Sequence, residues 1–419
     1  MDYKIMANKK LVIIGGGFAG LNTAQGLQDT DIEITLIDKN NHHLFQPLLY
    51  QVATAALAPN NISAPIREIL KNQKNTKVMF SEVVSIDKNE QYVEIKEGDK
   101  IPFDYLVLAV GARHSYFGND QWEQFAPGLK TLSDALKIRE KMLLSFEKAE
   151  NAKISENIGK YLTFVIIGGG PTGVEMAGAI AETAHKTIAS DFRTINTKNT
   201  KVILIEGQNR VLSLFPDSLS QYTKEKLEEM GVTVLTNTTV TEINEKGVKL
   251  GDTFIETENI IWAAGNKAAP VLSTLEVETD IAGRVIVKDD LSIQNYPNIF
   301  VIGDAANAKD RKGNPLAGLA PVAAQQGKFI SNLIKNELDG KSREKFSYLD
   351  KGTMATIGKS KAVAQISFLK FTGLFAWILW IFVHILFLIG FRNRASVMFE
   401  WLWLYIFDRR SARLITKSN

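Results

Sequence analysis

The run VIIGGG occurs twice in this chain, at residues 12–17 and 165–170, and no other feature restricts its folding so narrowly. Each copy carries a short apolar strand, residues 11–14 or 164–167, straight into glycines spaced G-x-G-x-x-G. These are Gly15, Gly17 and Gly20 in the first copy and Gly168, Gly170 and Gly173 in the second. The spacing has a specific physical use. The first glycine allows a tight strand-to-helix turn, the second lets a pyrophosphate approach the backbone, and the third lets the helix pack closely on the strand. Phosphates then meet free N–H groups at the positive end of the helix.

If each copy opens a dinucleotide-binding module, a second strand should follow and end in an acid that holds a ribose hydroxyl. After the first copy EITLIDK places Asp38 there, and after the second KVILIEG places Glu206 there. Glu206 comes later than the usual offset of about 20 residues, and the polar stretch HKTIASDFRTINTKNT (185–200) accounts for the extra length. A third strand closes each unit: DYLVLAVGA with Ala109 and Gly111, NIIWAAGN with Ala263 and Gly265. Gly15 lies 96 positions before Gly111, and Gly168 lies 97 before Gly265. Matching order and span imply an α/β fold with two Rossmann-type dinucleotide-binding domains.

Composition removes several functions. The 419 residues are 45% hydrophobic and 23% charged, as in a globular protein long enough for two or three domains. Net charge is +3, with no basic block interleaved with aromatics, so nucleic acid is not an expected partner. There is no Cys, which excludes disulfides, thiolate metal sites and redox-active thiols. His42 and His43 have no carboxylate at ligand spacing, so no metal is expected. The start, MDYKIMANKK, lacks the apolar stretch of a signal peptide.

A further strand, PNIFVIGDAA (297–306), ends in Gly303 and Asp304. Together with the first module it resembles the flavoprotein disulfide-reductase superfamily over roughly residues 8–335. There an aspartate at this place approaches the ribityl chain and pyrophosphate of a flavin; Asp304 would also cap a helix ahead of AANA. The resemblance implies non-covalent FAD in the first module, held by Gly15, Gly16, Gly17, Phe18, Ala19, Gly20, Asp38, Lys39, Val83, Ala109, Gly111, Gly303 and Asp304. The second module would hold a nicotinamide dinucleotide through Gly168, Gly170, Gly173, Glu206 and Gly265. A carboxylate at Glu206 accepts from the 2′-hydroxyl of NADH and repels the 2′-phosphate of NADPH, which favours NADH. Arg210 could recruit that phosphate and leaves NADPH open. Relatives that reduce a cysteine pair, a sulfenic acid or a persulfide have no counterpart in a chain without cysteine. Electrons must leave the flavin for a quinone, dioxygen or a small electron-transfer protein.

The tail changes character. Residues 371–391, FTGLFAWILWIFVHILFLIGF, carry no charge and are long enough to span a bilayer as one helix. Trp377, Trp380 and His384 fall inside that run, however, and interfacial aromatics belong at the ends of a span. The following SVMFEWLWLYIF contains Glu400, Trp401, Trp403 and Tyr405, as expected of a helix lying in the headgroup region. Arg392, Arg394, Arg409, Arg410 and Arg413 could then hold anionic lipid. A dimer interface or buried core would use the same composition.

Five stretches carry a closer resemblance, to the type II NADH dehydrogenases. They are HHLFQPLLYQVATAALAPNNISAPIREIL (42–70), GGGPTGVEMAGAIAE (168–182), GLAPVAAQQGKFI (318–330), GTMATIGKSKAVA (352–364) and the aromatic tail. The resemblance implies a single-subunit, non-pumping NADH:quinone oxidoreductase on the cytoplasmic face of the cell membrane. It would be held to lipid by its C-terminal segment and assemble as a homodimer. It also implies catalytic roles for Glu175, close to the nicotinamide and flavin rings, and for Gln325, the second glutamine of an A-Q-x-x-x-Q-type run whose first position is Pro321 here. Gln46 would lie near the flavin. The layout implied is an FAD-binding domain in two parts, 1–125 and 283–335, around an inserted NADH-binding domain, 126–282. A strand-containing link, 336–365, and a membrane anchor, 366–419, follow. Two other readings stay open: a soluble NAD(P)H-dependent reductase serving an electron-transfer protein or oxygen, and an NADH-sensing flavoprotein of the apoptosis-inducing-factor kind.

Overall fold

The computed structural model describes residues 8–153 and 157–415. The chain divides into two compact units. The first contains the described residues up to Leu44, then Ala64–Arg113 and Asn266–Asp350; the second contains Phe45–Ser63, His114–Gly265 and the described residues from Lys351 onward.

The first unit is built on a six-stranded sheet in the order Ser292–Ile293, Tyr296–Val301, Tyr105–Leu108, Lys10–Ile14, Glu33–Asp38, Thr76–Phe80. All neighbours are parallel except the edge pair 292–293 and 296–301. Parallel strands covered on both faces are apolar throughout, and Leu11, Val12, Ile13, Leu106, Val107 and Leu108 are all buried. The central strand runs into helix Phe18–Gly26, which packs beside helix Ala320–Leu338. A Cβ on Gly327 would stand 2.3 Å from the Ala19 carbonyl, so the two helices meet at backbone distance there.

The second unit repeats the plan with four parallel strands, Val232–Leu235, Lys201–Ile205, Thr163–Ile167 and Asn259–Trp262. Helix Pro171–Glu182 follows the glycines and relaxes into a π-turn, Thr183–Thr187. That turn and the loop behind it take up the extra length that delays Glu206. A three-stranded antiparallel meander occupies 242–256. Helix Leu132–Glu150 begins with a reciprocal cap. The Thr131 hydroxyl accepts from Asp134 N (3.1 Å) and the Asp134 carboxylate accepts from Thr131 N (2.8 Å).

The tail belongs to this second unit. Strands Thr353–Gly358, Lys361–Ile366 and Leu369–Thr372 form an antiparallel sheet. Helices Gly373–Phe387 and Phe391–Phe407 follow. The uncharged run 371–391 is therefore not one helix: its first two residues complete a strand, and Gly390 turns the chain at φ +85°. Fifteen residues of helix reach about 22 Å, short of the roughly 30 Å hydrocarbon core. Among the described residues no helix is long and apolar enough to cross a membrane. Each tail helix has two apolar faces of different fate. Ala376, Trp380 and His384 are buried, as are Val397 and Trp401. Leu374, Ile378, Phe382 and Leu386, at the same spacing on another face, are more than half exposed.

Candidate functional site

The two glycine turns are near-copies. Gly15 N donates to Ile37 O and Gly168 N to Ile205 O, both at 2.8 Å. A Cβ on Gly20 would fall 1.9 Å from Gly15 O, and one on Gly173 would fall 1.8 Å from Gly168 O, so helix and strand touch where the third glycine requires it. At the middle glycines, Gly17 and Gly170, an added Cβ meets nothing within 4 Å. Open space thus adjoins the N-terminus of each helix, where a pyrophosphate fits.

The acids repeat as well. One Asp38 carboxylate oxygen accepts from Gly16 N (2.6 Å) and the other from Asn40 N (2.6 Å). Glu206 does the same with Gly169 N (2.6 Å) and Gln208 N (2.8 Å). Each carboxylate is therefore fixed at the turn with lone pairs left for a ribose hydroxyl. Burial raises the Asp38 pKa above its ordinary value, against those two hydrogen bonds. Gly111 and Gly265 end the third strands at φ +69° and +67°.

Other candidates of the first unit divide. Ala19 and Ala109 are buried beside the turn, and Phe18 opens the helix with its ring edge-on to His43 at 5.0 Å. Lys39 makes an exposed pair with Glu82 (3.8 Å). The Val83 side chain packs into the core, leaving only its backbone for a ligand. Gly303 takes φ +70° to start the turn Gly303–Ala305 that contains Asp304. Under that turn lies a residue that no motif marks: Gln326, 1% exposed, accepts from Gly303 N at 2.6 Å. Its neighbour Gln325 instead spends both ends of its amide on the Leu349 backbone (2.9 and 3.0 Å). His43 is buried, with Nδ1 3.1 Å from Gly16 O, and burial lowers its pKa.

Within the second unit, Glu175 lines a cavity together with Tyr50, Gln51, Glu182, Trp380, Trp401 and Arg410. Its remaining accessible surface faces that cavity, and burial pushes its pKa up to about 8 against a backbone hydrogen bond from Thr356. The tail forms one wall. Trp401 Nε1 donates to Gln51 Oε1 (2.7 Å), and Gln51 Nε2 donates to the Tyr50 hydroxyl (2.8 Å). Arg410 is 5% exposed and donates to Thr54 O (2.6 Å) and Ala179 O (3.2 Å), with Glu182 at 3.7 Å. The tail arginines are thus not equivalent: Arg410 is buried and Arg413 pairs with Asp191, while Arg392 and Arg409 remain exposed. Gln46 belongs to this unit too and donates to Lys130 O (3.2 Å). His384 is buried, stacked on Trp380 at 4.1 Å, with Nδ1 2.7 Å from Trp380 O. Gln51 and Trp401 lie within stretches that carry the family resemblance, but nothing in their spacing singles out either of them or Arg410.

Two sheet units, each with an open glycine turn and a carboxylate fixed beside it, define a protein with two Rossmann-type dinucleotide-binding modules. Comparison with known proteins narrows the class. Residues 9–327 match the pyridine nucleotide-disulphide oxidoreductase family and residues 351–410 match the NDH2 C-terminal domain. The type II NADH:quinone oxidoreductase NdhA of Mycobacterium tuberculosis is 42% identical over 94% of this chain and 86% of its own. A second enzyme of that organism, Ndh, is 40% identical over 97% and 90%. NDH2 from Plasmodium falciparum, solved in complex with NADH, superposes with a TM-score of 0.89 over 98% of this chain and all of that one; at 22% identity this speaks to the fold. The chain belongs to the type II NADH:quinone oxidoreductase family. FAD and NADH are its cofactors.

Proposed function

We propose that this protein oxidises NADH through bound FAD and passes two electrons to a membrane quinone, without pumping protons. The observation that carries the reading is the duplicated cradle joined, in one chain, to a tail that walls a cavity lined by the Glu175 carboxyl. Bound flavin supplies the chemistry that accepts hydride and releases electrons in pairs. The protein supplies the rest. In the first unit the turn at Gly15–Gly20, Asp38 and the Gly303–Asp304 turn braced by Gln326 hold FAD. In the second, the turn at Gly168–Gly173 and Glu206 hold NADH and discriminate against a 2′-phosphate.

Glu175, neutral at pH 7 with a pKa of about 8, can donate a proton where a quinone becomes a quinol. Aromatic walls and the Tyr50–Gln51–Trp401 chain keep the cavity shaped. Gln325, both ends of whose amide are engaged by the Leu349 backbone, would have to release it to act on an acceptor.

The membrane reading rests on the outer face of the tail. Phe375, Phe382 and Phe399 are each more than 60% exposed, and cationic Arg392 and Arg409 accompany them. Burying such a face in lipid is worth about 25 cal/mol per Å², and two apolar helices too short to cross the bilayer suit a monotopic attachment. We place the enzyme on the cytoplasmic side, where NADH is produced, and, following the family resemblance, as a homodimer.

The decisive experiment is anaerobic stopped flow. NADH should bleach the flavin, and a quinone analogue should restore its absorbance within the turnover time. Slow reoxidation by every quinone would favour an NADH sensor. Full quinone activity in vesicles after removal of residues 371–419 would favour the soluble reductase.

A further inference from the structure

Among the described residues no side-chain cation pairs with Glu206, whose carboxylate accepts from backbone N–H groups, although an arginine is close by in the chain. Residues 207–216 contain a single Lys or Arg, which is Arg210. The loop is pinned at the cradle on both sides of it: Gln208 N donates to Glu206, and Leu212 N donates to Gly169 O at 2.7 Å. Held there, an arginine four residues after the acid could fold back to neutralise it. It does not. The Arg210 guanidinium donates onward, to Ser213 O (2.9 Å) and to the carboxylate of Asp217. Asp217 is the first residue of helix Asp217–Glu229, and its side chain is 93% exposed.

We propose that Asp217 is a specificity-determining positioning residue. By holding Arg210 away from Glu206, it denies the 2′ position of the bound dinucleotide a phosphate-binding cation. The inference rests on the NADH reading above and deepens it. A freed arginine would act twice against selectivity. It would offset the negative charge of Glu206, and its planar fork would bind a 2′-phosphate with two hydrogen bonds. Selectivity would therefore be built from a repulsive group plus the restraint of an attractive one. Because the restraint is a solvent-exposed ion pair, it is weak, and its removal should be felt in binding rather than in folding.

The test is Asp217→Asn, which keeps the shape and removes the charge. Measured at low ionic strength with saturating quinone, the ratio of KM for NADPH to KM for NADH should fall about fivefold, the factor matching the upper end of an exposed pair at roughly 1 kcal/mol. kcat with NADPH should stay the same, since no reacting atom is touched. Asp217→Glu should restore the wild-type ratio, and Arg210→Gln combined with Asp217→Asn should abolish the gain. An unchanged ratio in Asp217→Asn at an unaltered melting temperature overturns the proposal, and so does a gain that persists without Arg210. A wild-type enzyme that uses NADPH as well as NADH overturns the NADH reading itself, and the proposal with it.

Discussion

Replacing Glu175 by Gln removes an ionisable proton while preserving the outline of the side chain. The pKa of about 8 places the carboxyl mainly in its neutral form at pH 7. Roughly ten molecules are then protonated for each ionised one, and at pH 9 the ratio is reversed. If the neutral carboxyl donates to the acceptor, the rate constant for flavin reoxidation by quinone should drop about tenfold between pH 7 and pH 9 in the wild-type enzyme. Glu175→Gln should be slower at pH 7 and flat over that interval, because the amide neither donates an acidic proton nor titrates. Reduction of the flavin by NADH, followed separately in the stopped flow, should not acquire the same dependence. Stability runs in the same direction. A carboxyl whose folded pKa is raised favours the folded state most below its ordinary value of 4.5, and that advantage is lost as pH rises toward 8. Thermal melts at pH 6 and 8.5 should therefore converge in the variant relative to wild type. An identical descending limb in Glu175→Gln would show that another group titrates, and the proton-donor role would be wrong.

Gly170→Ala, where a methyl meets no protein atom, should leave a folded yellow protein whose flavin NADH no longer bleaches. Gly173→Ala, with its methyl 1.8 Å from Gly168 O, should fail in folding instead, as circular dichroism would report. Trp401→Phe strands the Gln51 acceptor and should lower stability by about 1–3 kcal/mol; an unchanged melting temperature would refute that contribution. Burial lowers the His384 pKa to about 4, so the neutral ring supports the fold above pH 6.5 and its contribution, about 3 kcal/mol, is lost as pH falls through the folded value. His384→Asn should remove that part of the acid sensitivity in denaturant titrations between pH 6.5 and 4.

What the sequence discloses follows from how local each constraint is. The glycine frames, Asp38 and Glu206 are legible because turn, acid and third strand are read along a continuous stretch, and each has a steric reason that does not depend on the rest of the molecule. The two glutamines show where this ends. Gln325 and Gln326 differ by one position, about 100° around the helix, and only the buried stripe decides between them. Val322, Gln326 and Ile330 share that stripe at intervals of four, so the phase of the helix distinguishes the two.

The tail is less legible for the opposite reason. Hydrophobic on every side, it offers no contrast from which to find an inner face, and its uncharged length exceeded the helix it forms. Structure supplies the missing contrast through polar atoms rather than apolar ones. An indole N–H reaching Gln51 and a guanidinium reaching two carbonyls fix which side of helix Phe391–Phe407 and its continuation turns inward. A buried cation is expensive unless its donors are met, and Arg410 meets part of that need at the Thr54 carbonyl and at the Ala179 carbonyl, which it shares with the Thr183 hydroxyl. That requirement ties the last turn of the tail to helix Pro171–Glu182, the element that also bears Glu175. A segment that serves only as an anchor would not need it. The same residues that leave Phe382 and Phe399 facing outward therefore set the wall of the cavity facing inward, and a change on the outer face that shifts the helices must be felt at Glu175.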